Sequence, residues 1–176
     1  VIMQVINKAL ATAFAKKNWQ AIRAIYAMDK RLVHNFIWIP VMIIGFIAIG
    51  MGLTWALHKE PWLLDKVPNE ILLKKSFKEL FTAEINYYLP SYLILVYKFF
   101  GLWLTSLGLL IINYVYITRM GTKESRFSIY LVLFITLMGI YYLVFSFIPT
   151  SPFLPVLYFL TMLYLISLFF SFKLEE

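Results

Sequence analysis

Four long apolar stretches constrain this chain more than any other feature of its sequence. They cover residues 35–57, 89–118, 127–148 and 153–172, and together they contain one charged residue, Lys98. About 20 apolar residues are enough to cross a ~30 Å hydrocarbon core, and each stretch reaches that length. Because a backbone in lipid must satisfy its own hydrogen bonds, each stretch predicts a transmembrane helix. The sequence therefore predicts an all-α integral membrane protein, with a four-helix bundle in residues 34–176.

The composition excludes several classes of protein and of site. The chain is 62% hydrophobic and 14% charged, which is typical of an integral membrane protein and not of a soluble or disordered one. It has no cysteine, so a disulfide, a thiolate metal site and a cysteine nucleophile are excluded. His34 and His58 flank the first stretch at opposite ends, so they cannot share a metal unless a partner supplies other ligands. The net charge of +7 fits cytoplasmic anchoring and anionic lipid, and we expect no cofactor, no metal and no nucleic-acid partner.

Residues 1–33 form a basic segment ahead of the first stretch. Their apolar side chains fall on helical faces and predict an amphipathic helical segment. Six of the sixteen lysine and arginine residues lie here. This segment is either an anchor that fixes the topology or a surface helix that binds acidic lipid or a partner subunit.

Residues 58–88 form the only long connection between the stretches. Apolar residues at helical spacing predict a helix on the membrane surface at about 69–88. The cations of residues 1–33 and of the 119–126 loop predict that both termini are cytoplasmic, in the cell (inner, cytoplasmic) membrane. The five lysines of residues 58–88 lie on the outer side in this arrangement and count against it.

Small residues recur in the first two stretches. Glycine and alanine allow two membrane helices to approach closely. The sequence therefore predicts helix packing at five positions: Gly45, Ala48, Gly52, Gly101 and Gly108.

A second set of residues gives candidates for ligand binding. Lys98 is costly inside a membrane unless it reaches water, pairs with an acid or serves a ligand. Glu84 is the nearest acid in sequence on the outer side, so an ion pair with Lys98 is one alternative. Asn113 can hydrogen-bond between helices, and Tyr141 and Tyr142 begin an aromatic region suited to a hydrophobic ligand. Bundle packing and lipid-facing filling are the alternatives for these three residues.

Two segments of the sequence resemble those of a known family. One is the run Gly45-Phe46-Ile47-Ala48-Ile49-Gly50, which continues through Leu53-Thr54-Trp55 to Lys59-Glu60-Pro61; the other is Lys98-Phe99-Phe100-Gly101 followed by Gly108. With these residues, the chain resembles the DoxX-like small four-helix membrane proteins over residues 36–172. The resemblance implies an architecture and no particular activity. The 33-residue N-terminal extension and the long first loop depart from that family's pattern.

The motifs of common membrane and soluble enzymes are missing from the sequence. No acid lies inside the four stretches, and there is no nucleotide-binding loop, zinc-protease motif or nucleophile elbow. No catalytic residue can be assigned, so we favour a non-catalytic role over an enzyme. The leading hypothesis is an accessory subunit of a larger membrane complex, with lipids and other membrane subunits as partners. The alternative is a protein that binds or transports a hydrophobic ligand, a lipid or a quinone, in a pocket between the helices.

Overall fold

All regular elements of the described chain are helical, which confirms the predicted all-α class. The computed structural model describes the backbone of residues 2–175 and the side chains of residues 30–174. The long helices are α1 (Ile2–Leu57), α4 (Leu89–Thr118), α5 (Lys123–Phe147) and α6 (Leu154–Glu175). The side chains of residues 1–29, and with them most of the predicted amphipathic face of 1–33, lie outside the described residues.

Four helical segments are long and apolar enough to cross a membrane. They are Lys30–Leu57, Glu84–Thr118, Lys123–Phe147 and Leu154–Leu174, and they coincide with the four apolar stretches of the sequence. At 1.5 Å per residue, the 30 residues of α4 extend about 45 Å, which exceeds a ~30 Å hydrocarbon core.

The four long helices pack as a bundle with α1 in the middle. Helix α1 contacts both α4 and α6, and α5 packs against α6. Buried residues recur along α1 at spacings of three and four, so one continuous face is covered by its neighbours. The shared apolar core draws on all four helices and includes Ile37, Val41, Ile44, Ile111, Val115, Ile129, Leu133, Leu137, Leu157 and Leu163.

The α1–α4 contact is made by backbone against backbone. A Cβ added at Gly108 would lie 2.6 Å from the carbonyl oxygen of Gly45. One added at Gly101 would lie 2.5 Å from the carbonyl oxygen of Gly52. These two pairs run in opposite directions along the helices, so α1 and α4 are antiparallel. Ala48, between the two glycines of α1, is buried on the same helix.

Residues 58–88 are folded differently from the single helix predicted over about 69–88, which is therefore wrong. The structure has a 3-10 turn at Pro61–Leu63, helix α2 (Lys66–Leu73), helix α3 (Phe77–Thr82) and a second 3-10 turn at Glu84–Asn86. Lys74 takes a left-handed conformation with φ 54° and ends α2. Ser76 then starts α3 through a capping box with Glu79. Local hydrogen bonding thus divides an apolar pattern that alone indicates one helix.

Candidate functional site

An apolar groove separates the second half of α5 from α6. Helix α5 has buried residues from Arg126 to Leu137, but none from Met138 to Phe147. The opening has a volume of about 430 Å³. We call it the Tyr141 groove, after the one residue of α5 that lines it; its other lining residues belong to α6 and are Tyr158, Thr161, Met162, Leu165, Ile166, Phe169 and Phe170.

The Tyr141 side chain spans the groove and holds the two helices together there. Its hydroxyl lies 2.9 Å from the Thr161 hydroxyl, and either oxygen can be the donor. Its ring stacks on Phe145, with ring centres 5.8 Å apart, and lies 6.2 Å from the Tyr158 ring. The groove therefore offers aromatic surface with one hydroxyl pair, which is suited to a hydrophobic partner, and its lining contains no charged residue.

A second cleft lies between the first half of α5 and the second half of α6. It has a volume of about 380 Å³ and combines cations with apolar side chains. We call it the Arg126 cleft; it is lined by Lys123, Arg126, Phe127, Tyr130, Leu131, Phe134, Tyr164, Leu168, Ser171 and Phe172. Arg126 is only 5% exposed, and its Nη1 donates to the carbonyl oxygens of Met120 at 3.3 Å and Gly121 at 3.2 Å. These hydrogen bonds stabilise the α4–α5 turn, and Arg126 is a buried cation in the wall of the cleft.

A polar cluster joins residues 58–88 to α4. Asn69 Nδ2 donates to Asp65 Oδ1 and to the Tyr97 hydroxyl oxygen, each at 2.8 Å. The Tyr97 hydroxyl donates in turn to Asp65 Oδ1 at 3.1 Å. In the same connection, the Trp62 ring packs against the rings of Phe77 and Phe81, with ring centres 6.3 and 5.2 Å away. We call these three aromatic residues the ring cluster. The polar cluster and the ring cluster together give this connection a fixed fold.

Partial burial raises the pKa of the Asp65 carboxyl above its usual value, although hydrogen bonds from Tyr97 and Asn69 oppose the shift. A raised pKa means that the folded protein holds the proton more tightly than the unfolded chain does. The stability contributed by this group is therefore fully present below the unfolded pKa and is lost as the pH rises through the folded pKa.

We expect Asp65→Asn to stabilise the protein at pH 7, because the amide keeps the acceptor oxygen and carries no charge. The difference from the wild type should shrink as the pH falls toward the ordinary carboxyl value. Unfolding midpoints in detergent between pH 7 and pH 4 measure this, with Asp65→Ala as the variant that also loses both hydrogen bonds. A difference that grows as the pH falls would show that the ionised carboxylate stabilises the fold.

The structure does not bring the sequence-predicted ligand residues to one place. Lys98 and Glu84 are both exposed, and within residues 30–174 no ion pair joins them. Asn113 is exposed on α4 and donates to the Leu109 carbonyl oxygen of its own helix at 2.9 Å. Tyr142 is 68% exposed beside Tyr141, and of the five residues Tyr141 lines the groove described above.

We expect Lys98→Met to leave the stability unchanged or slightly raised. Methionine keeps most of the apolar stem, and the exposed Lys98 side chain has no acid to leave behind. Thermal unfolding of Lys98→Met, Glu84→Gln and the double variant measures this. A loss above about 2 kcal/mol that Glu84→Gln restores would establish a buried ion pair instead.

The Asp65–Asn69–Tyr97 cluster and the Arg126 cleft were not predicted from the sequence. Tyr97 precedes the more conspicuous Lys98, and nothing in the sequence pairs it with residues 28 and 32 positions earlier. Arg126 lies just outside the apolar stretch 127–148, and in the sequence it served only as one of the loop cations that predict the topology. Among the described side chains, no group of three or more histidines and acids is placed to hold a metal ion.

Comparison with known proteins adds no relative. No family model matches the sequence, and no curated protein or solved structure matches it either.

Proposed function

We propose that this chain is an integral membrane protein with four spans, in the cell membrane, with both termini cytoplasmic. Four helices of sufficient length and hydropathy support this proposal. Large apolar side chains are exposed along α4, α5 and α6, as expected where lipid replaces water around a bundle. The DoxX-like architecture is part of the same proposal and rests only on the sequence segments that carry the resemblance.

A cysteine scan tests the topology, because the natural chain has none. Single cysteines at positions 2 and 174 should be protected from an impermeant thiol reagent in intact cells. A cysteine at Thr150, in the turn between α5 and α6, should be labelled. Labelling of both termini together with protection at position 150 would show that the orientation is the reverse of the proposed one.

Within this membrane protein, the function that the geometry supports best is that of a non-catalytic accessory subunit. The observation that carries it is the second half of α5, in which no residue from Met138 to Phe147 is buried. Membrane helices associate by close packing and by hydrogen bonds between them. A helix whose second half has no fully buried residue therefore offers that half, beside the Tyr141 groove, to a helix of another subunit.

The second candidate function is the binding or transport of a hydrophobic ligand. The Tyr141 groove favours it, because its volume of about 430 Å³ is in the range of small-molecule sites and its lining is aromatic, as in many such sites. A quinone or a lipid tail is the class of ligand that such a surface accepts.

Purification from the native membrane in a gentle detergent separates the two functions. A protein that co-purifies at a fixed ratio supports the subunit, and a tightly held lipid or quinone without such a protein supports the ligand binder. Met162→Trp fills the groove and should remove whichever occupant is present. Leu102→Trp is the control, because Leu102 is exposed on α4 away from the groove. Purification of the chain alone and free of ligand would contradict both functions.

A further inference from the structure

We propose that the Arg126 cleft binds one acidic phospholipid, with its phosphate at Lys123 and Arg126 and an acyl chain between α5 and α6. No sequence pattern assigned a ligand to this end of the bundle. The inference goes beyond the accessory-subunit function and depends only on the proposed membrane location.

The cleft has the two-part character of an amphiphile. One part is cationic: Arg126 lies one helical turn after Lys123 on α5, and both side chains line the cleft. The other part is apolar and continues along the same two helices, through Phe127, Leu131 and Phe134 on α5 and Leu168 on α6. The cationic part therefore matches a charged head group, and the adjoining apolar part matches the acyl chain attached to it.

Buried polar groups distinguish this cleft from an ordinary lipid-facing groove. Arg126, Tyr130, Tyr164 and Ser171 are all at least nine-tenths buried, and all four line it. A guanidinium is a strong donor to phosphate oxygens, and a partly dehydrated site strengthens each such contact. The cleft also opens at the first turn of α5, where the helix dipole favours an anion.

The charge around the cleft has the sign that an acidic head group requires. The described residues of the α4–α5 turn, α5 and α6 at this end include the cations Arg119, Lys123, Arg126 and Lys173 and one acid, Glu124. Lys123 and Arg126 make further contacts within the protein, so the proposal does not require either cation to lack a partner.

A soluble anion fits the cleft less well than a lipid does. Phosphate would meet the cations but would leave the apolar walls uncovered, whereas a zwitterionic lipid would cover the walls without a net charge for the cations. Basic pockets between membrane helices are a recognised setting for acidic head groups. The combination on α5 and α6 therefore selects the acidic lipid over both alternatives.

The test compares lipids with the same acyl chains and different head groups. The full chain is delipidated in a nonionic detergent and titrated with phosphatidylglycerol, phosphatidylcholine or inorganic phosphate, and bound lipid is counted by native mass spectrometry. We expect phosphatidylglycerol to bind about tenfold more tightly than phosphatidylcholine, and inorganic phosphate to be retained by neither the wild type nor any variant. Removing one cation should reduce that preference about fivefold.

Matched variants connect the preference to this cleft. Lys123→Gln should reduce the preference, whereas Lys173→Gln, which removes the same charge at the same end outside the cleft lining, should not. Leu131→Trp should weaken the binding of both lipids by filling the cleft, and Val132→Trp, its exposed neighbour, should not. Lys123 is preferred to Arg126 for this purpose, because Arg126 also holds the α4–α5 turn.

Three results would overturn the proposal: equal affinity for the two lipids, equal effects of Lys123→Gln and Lys173→Gln, or retention of inorganic phosphate alone. Alkaline carbonate extraction of the cell membranes tests the membrane location by itself. A chain that remains in the membrane but shows no head-group preference would refute the lipid site and leave the membrane location standing.

Discussion

Replacing Gly101 by alanine should destabilise the protein by about 1–3 kcal/mol, the range seen when a well-packed contact is overfilled. A Cβ at this position would lie 2.5 Å from the Gly52 carbonyl oxygen and 2.6 Å from the Ala56 backbone nitrogen. Both atoms belong to the backbone of α1 and cannot turn aside as a side chain would, so α1 and α4 must move apart. The measurement is the free energy of unfolding in mixed detergent micelles, with helix content as the signal.

Two other glycines are the controls for this experiment. A Cβ at Gly50 or at Gly139 meets no atom within 4 Å, so Gly50→Ala and Gly139→Ala should be neutral or slightly stabilising. The pair Gly101→Ala and Gly52→Ala should be less than additive, because once the helices have separated the second methyl group meets less resistance. Equal losses at Gly50 and Gly101 would show that close approach of the helices is not what these glycines provide.

The second large effect is expected at Ser167, the most enclosed polar residue of the described bundle. Its exposure is 0%, and its hydroxyl donates to the Ile37 carbonyl oxygen of α1. The Tyr130 hydroxyl of α5 lies 2.8 Å from the Ser167 hydroxyl oxygen and 2.9 Å from the Ser167 carbonyl oxygen. One serine thus joins three helices, and Ser167→Val should destabilise the protein by about 1–3 kcal/mol through overfilling and the lost bonds.

Ser167→Ala separates the hydrogen bonds from the packing. It adds no volume, and Tyr130 keeps the Ser167 carbonyl oxygen as an acceptor, so the loss should be near the ~0.6 kcal/mol average for hydrogen bonds between membrane helices. Ser106→Val is the matched control, because Ser106 is exposed on α4. The same unfolding measurement applies. Both variants lack the hydroxyl, so a loss for valine no larger than that for alanine would mean that this crossing is not overfilled.

The two clefts between α5 and α6 differ in what they ask of a partner. The Tyr141 groove is aromatic and offers one hydroxyl pair, which suits a helix or a hydrophobic molecule. The Arg126 cleft offers cations beside apolar walls, which suits an anion with a tail. The linings of the two openings share no residue, so each can be tested by variants that leave the other intact.

The secondary structure of the long helices was predictable from the sequence because it depends on local composition. An apolar stretch of about 20 residues has few structures open to it in lipid, so the ends of α4 at Leu89 and Thr118 agree with the predicted stretch. The small residues at the α1–α4 contact were predictable as a set for a similar reason, since small residues permit the close approach of two membrane helices. Their pairing, Gly45 with Gly108 and Gly52 with Gly101, was not.

Contacts between distant residues were decided by the tertiary structure alone. The division of residues 69–88 into two helices is a local feature instead: the left-handed Lys74 and the Ser76 capping box interrupt the apolar pattern that predicted one helix. Lys98 attracted attention as a charge in an apolar stretch, whereas its neighbour Tyr97 makes the contact with Asp65. Hydropathy and spacing indicate whether a side chain requires apolar, polar or lipid surroundings. Which distant residue supplies it depends on how the helices cross, and that is fixed only when the whole chain has packed.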